Sequence, residues 1–100
     1  MAWKHWTDND LGYEGWLSAN HLGFVANTNY RPNGRYFKIH RATHKLPDRS
    51  NAGSVNPRTG NAYSKITADS LDDLSDYAKT ELGLNHFDDS HYCQTCNPRG

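Results

Sequence analysis

Residues 35–44 read RYFKIHRATH. Phe37 and Ile39 alternate with Tyr36, Lys38 and His40, the period-two pattern of a strand that buries one face and leaves the other polar. This is the strongest strand signal in the chain. It ends on His40 and is followed after three residues by His44, an H-x3-H spacing of the kind that supplies the histidine half of a Cys2His2 zinc site. The stretch therefore joins a sheet prediction to a metal prediction.

Upstream, RPNG (Arg31–Gly34) sets Pro, Asn and Gly at turn positions. Before it, Phe24-Val25 opens a short β-prone run, so the two runs read as a hairpin. Downstream, residues 45–62 (KLPDRSNAGSVNPRTGNA) are rich in Pro, Gly, Ser and Asn and nearly lack large apolar side chains. They predict a long surface loop. A second short strand follows over Ala62–Thr67. Then comes a helix, with Ser70 as N-cap, Asp72 and Asp73 in the first turn, and Leu71, Leu74, Ala78 and Leu82 along one stripe. Gly83 supplies its stop. The chain of 100 residues, 35% apolar, has room for one domain and a small core of the kind often reinforced by a metal or disulfide. The expected fold is α+β: a small antiparallel sheet with one main helix.

The only cysteines, Cys93 and Cys96, stand as C-x-x-C near the C-terminus. A redox pair needs its first thiol at a helix start, and Pro98 follows too soon for one. A c-type haem site needs His after the second cysteine, and position 97 is Asn. Zinc fits best, because two thiolates share one tetrahedral ion readily. The predicted ligand set is His40, His44, Cys93 and Cys96, with His91 as the substitute if either of the first two is not a ligand. About 48 residues separate the two halves, which excludes a ββα finger and predicts a long-range staple. His5, His21 and His86 are assigned to the surface or to ordinary packing.

Several short stretches together resemble a small bacterial domain with the pattern GFV-x-N, HRA-x-C, Tyr-x-Lys, helix and C-x-x-C. They are GFVANT (Gly23–Thr28), HRATH (His40–His44), YSK (Tyr63–Lys65), DSLDDLSDYA and CQTCNP. The likeness covers most of the chain from about Trp16 onward and implies no activity. Where the pattern has Cys, this chain has His44. Both are zinc ligands, so the resemblance favours a metal over a disulfide and favours His44 as third ligand.

The net charge is zero, but its distribution is uneven. Arg31, Arg35, Lys38, Arg41, Lys45, Arg49, Arg58 and Lys65 face the single acid Asp48, about +7 over that stretch, whereas residues 66–100 carry about −5. Tyr30, Tyr36 and Tyr63 lie among the cations, and basic residues interleaved with aromatics are a footprint of nucleic-acid binding. The predicted binding residues are Arg31, Arg35, Lys38, Arg41, Lys45, Arg49, Lys65 and Tyr36. The alternative is a small protein-binding module or inhibitor, docking through its charged and Trp/Tyr-rich surface.

Catalysis is not expected. A His44/Cys93/Cys96 site would resemble a deaminase set, but the H-x-E glutamate that such enzymes need is missing. Phosphate loops, nucleophile elbows and H-E-x-x-H are likewise missing from the sequence. Nothing in it resembles a signal peptide or a membrane span, so a cytoplasmic setting is the expectation.

Overall fold

A computed structural model of the chain describes residues 3–32, 36–43, 59–60, 63–85, 87–94 and 96–99. It contains four strands, β1 (Trp3–Trp6), β2 (Phe24–Asn29), β3 (Phe37–Arg41) and β4 (Tyr63–Ala68). They form one antiparallel sheet in the order β1-β4-β2-β3. Two helices flank the strands in sequence, α1 (Asp10–Ala19) and α2 (Leu71–Tyr77). The expected α+β class with an antiparallel sheet is what the chain adopts, and β2 and β3 pair as the predicted hairpin, Phe24 opposite Arg41 and Thr28 opposite Phe37.

α2 begins where the sequence places it. The Ser70 hydroxyl accepts from the Asp73 amide, leaving Asp72 and Asp73 in the first turn, where negative charge meets the positive end of the helix dipole. The backbone then widens into a single π-turn over Ala78–Leu82. Gly83 closes it in the left-handed region at φ 72°, a conformation that glycine adopts without steric cost.

The expectation of one main helix leaves out α1, a second helix of 10 residues. Its apolar signal is Tyr13, Trp16 and Leu17, which pack with Trp6 and Val25. Gly12 and Gly15 disguise it, since glycine weakens a helix pattern by about 1 kcal/mol relative to alanine. Gly12 has a packing reason: a Cβ there would lie 2.7 Å from both the Asn9 amide and the Trp6 ring. Asn9 caps the helix by accepting from the Gly12 amide at 3.0 Å.

Most of the core lies on the α2 side of the sheet. Ala26, Phe37, Ile39, Ile66 and Ala68 point from the strands towards Leu74, Tyr77 and Ala78. Phe37 and Ile39 share that side, as the alternation in RYFKIH requires. β4 is central and almost wholly buried, despite the polar residues Ser64, Lys65 and Thr67. Each of the three is satisfied by a neighbour, as burial in a low-dielectric interior demands. Ser64 Oγ lies 2.8 Å from His5 Nε2, Thr67 accepts from Trp6 Nε1 at 2.8 Å, and Lys65 donates to Asn27 Oδ1 at 2.7 Å.

Of the stretch 45–62 read as a surface loop, only Thr59 and Gly60 fall among the described residues. Thr59 and Gly60 are buried, because Thr59 is clamped to the start of α1. Its amide and hydroxyl both donate to Asp10 Oδ1 at 2.7 Å, and the Asn9 amide donates to its hydroxyl at 2.8 Å. No helix among the described residues is long and apolar enough to cross a membrane.

Candidate metal centre

The C-terminal segment runs along the outer edge of β3. Phe87 stacks on Phe37 with ring centroids 5.4 Å apart, and Asp88 caps a short 3-10 turn over Asp89–His91. Tyr92 then forms a parallel bridge with Ile39, and the Cys93 amide donates to the Ile39 carbonyl at 2.8 Å. This docking carries the C-x-x-C to the end of the strand that holds His40.

His40, Cys93 and Cys96 converge there, with one ligand atom from each lying within 4.8 Å of the others. They are close enough to hold a metal ion. His40 and Cys93 are buried and Cys96 is half-buried. No disulfide joins the two cysteines. The turn between them has the form that thiolate ligands need, because backbone amides point at the sulfurs. The Cys96 amide approaches Cys93 Sγ at 3.5 Å, and the Arg41 amide approaches Cys96 Sγ at 3.4 Å. Asn97 closes the turn with its amide on the Cys93 carbonyl at 3.1 Å and a backbone φ of 46°, a left-handed conformation in which Asn is enriched.

Burial pushes the Cys96 thiol above its ordinary pKa, and the Arg41 amide pulls it back part of the way. A cation would reverse the balance, since a coordinating thiol loses its proton outright. The donor set, two sulfurs and an imidazole, is soft to borderline and suits zinc among the divalent ions.

Arg41 is central to this site in a way the sequence did not indicate. Its guanidinium donates to the Cys96 carbonyl at 2.8 Å and to the Asn97 carbonyl at 2.8 Å. A residue expected on a binding surface is thus a clamp on the turn that carries Cys96 and Asn97. The only advance signal was its position beside His40. Lys38 is also drawn inward, donating to the Ser90 carbonyl at 2.8 Å. Lys65 is buried, at 4% exposure. Arg31 is exposed. Tyr36 is half-buried and accepts from Asn27 at 2.9 Å. His44, Arg35, Lys45 and Arg49 lie outside the described residues.

His91, the substitute ligand, is not in the cluster. Its Nδ1 accepts from the Asp88 amide at 3.0 Å and completes the cap of the 3-10 turn. His5, assigned to surface or packing, is half-buried against Tyr77, and burial lowers its pKa. Its pairing with Ser64 has the partners of a nucleophilic dyad. The Ser64 side chain, however, is fully buried and donates to the Asn29 carbonyl at 3.0 Å, which makes it a strut of the sheet.

No protein-family model matches the chain, and searches of curated proteins and of solved structures also find no match.

Proposed function

We propose that this chain is a non-catalytic, zinc-stapled binding module whose partner is nucleic acid. Zinc would be held by His40, Cys93 and Cys96, with His44 as fourth ligand on the strength of its H-x3-H spacing. The ion would supply a cross-link, fixing the tail to the end of β3. The amides aimed at the sulfurs and the Arg41 clamp favour this structural role, in which the protein fixes ligand geometry ahead of the metal.

The observation that carries the nucleic-acid reading is the cation–aromatic group on the sheet face. Lys65 Nζ lies 6.0 Å from the Tyr63 ring centroid, and Tyr63 meets Tyr36 edge-to-face at 6.3 Å. Sheets that bind nucleic acid use this pairing of positive charge with rings that stack on bases. Titration of a labelled oligonucleotide at several salt concentrations tests the reading. Affinity should fall steeply with salt, and Arg31→Ala and Lys45→Ala should each reduce the salt slope by about 1. A protein target is the second reading, favoured by Leu11 and Leu22, large apolar side chains 86% and 92% exposed. Failure to bind any DNA or RNA at low salt would refute the first reading in favour of the second.

A further inference from the structure

We infer that Asn27, Tyr36, Tyr63 and Lys65 form a subsite for one unpaired nucleotide, making single-stranded nucleic acid the ligand class. The inference deepens the nucleic-acid reading and rests on it.

The four residues converge from three places in the chain. Asn27 and Lys65 sit directly opposite each other on β2 and β4, so their side chains share the sheet face on which α1 packs against Trp6 and Val25. Their hydrogen bonds run in a fixed direction. The Lys65 ammonium only donates, so the Asn27 oxygen must face it, at 2.7 Å. That turns the Asn27 nitrogen outward, and it donates to Tyr36 Oη at 2.9 Å. Tyr36 is thereby an acceptor within the network, and its own phenolic proton is directed away from Asn27. The protein has oriented a neutral donor, set an ammonium behind it and placed an aromatic pair alongside.

Such a group suits a ligand with oxygen acceptors next to a flat ring. Phosphate oxygens and base carbonyls supply the acceptors, and a base supplies the ring. The rings select the strand type. Lys65 is 4% exposed, so a ligand meets the half-buried Tyr36 and Tyr63 before the ammonium, and a duplex, whose bases are already stacked and paired, has no free base face to offer those rings. An unstacked nucleotide of a single strand has one. Asn27 acts as a positioning residue, because it reaches the ligand only through Tyr36.

Fluorescence anisotropy with labelled oligothymidylate, oligouridylate and a hairpin duplex, using zinc-loaded full-length protein, tests the inference. The single strands should bind at least about tenfold tighter than the duplex. Tyr36→Phe keeps the ring and removes the hydroxyl, with the acceptor for Asn27, and should weaken single-strand binding about threefold to tenfold, beyond the small loss of stability that the missing hydrogen bond brings. Tyr63→Leu should weaken it at least as much. Equal or tighter duplex binding would overturn the inference, as would Tyr36→Phe binding like wild type or losing binding only in step with Tm. Those results leave the nucleic-acid reading standing, whereas no binding to any of the three probes defeats both.

Discussion

The α2 side of the sheet and the C-terminal segment are held in place by different physics. On the α2 side, Ile39, Ile66 and Leu74 are fully buried, and order comes from apolar area removed from water, spread over many weak contacts. The segment from Phe87 onward has one stacked ring, a short capped turn, a bridge to Ile39 and the Cys93–Asn97 turn. Phe87 and Tyr92 tie its start to that same core; beyond them its order rests on a few directional bonds, and the structure gathers three metal-ligand donors where those bonds end. The core should answer to changes in volume. The tail should answer to chelators, pH and single hydrogen bonds. This separation can be tested in both directions.

The largest effect is expected in the core. Leu74→Ala should cost about 2–5 kcal/mol in denaturant unfolding, by the same amount with and without zinc; a cost that depends on zinc would break the separation. Next comes the metal. Purified protein should carry about one zinc per chain by elemental analysis. Chelation should lower stability by about 2.7 kcal/mol relative to protein held at a hundred times Kd, and Cys93→Ser should abolish both the zinc and the response. Metal-free protein with unchanged Tm would refute the staple.

Arg41→Ala should be smaller in stability, about 1 kcal/mol, since its two carbonyl contacts are part-exposed. It should weaken zinc about tenfold or more in competition with a chromophoric chelator, and an unchanged zinc affinity would show that Arg41 merely decorates the turn. The smallest effect concerns His5. Burial lowers its pKa, so as pH falls the unfolded chain takes the proton first. The stability it contributes is intact above about pH 6.5 and drains away as pH falls below that value. The wild-type stability minus that of His5→Gln, measured across pH 5–8, should therefore decline towards the acid end; a flat difference would mean that burial does not perturb the imidazole.

Much of the fold was legible from residues 35–44 and 70–83, and for the same reason in both. Each carries a complete local signature: alternation in one case, cap, stripe and glycine stop in the other. α1 was not legible because its two glycines mask three apolar residues at helical spacing, and the reason for Gly12 lies in its contact with Trp6, a residue of another element. For the metal cluster, sequence chemistry found Cys93, Cys96 and His40, whose side chains advertise their use. It did not show the internal contacts of Arg41, Lys38 and Lys65. Charge in a sequence says nothing about direction, and all three cations turn towards carbonyls or an amide of the same molecule. Asn27 was missed altogether, since its role comes from lying opposite Lys65 across two strands distant in the chain.

The bridge between Ile39 and Tyr92 has a consequence for the behaviour of the protein in bulk. β3 is a terminal strand of the four, and its outer row of amides and carbonyls is the kind of open template on which foreign strands grow. Tyr92 and Cys93 occupy that row at Ile39. Whatever loosens the tail, whether a chelator, an oxidant or a cut after Phe87, uncovers the template next to an apolar strand. Clouding of a concentrated solution should then precede any loss of the core, because Tyr92 and Cys93 are what covers the β3 edge at Ile39.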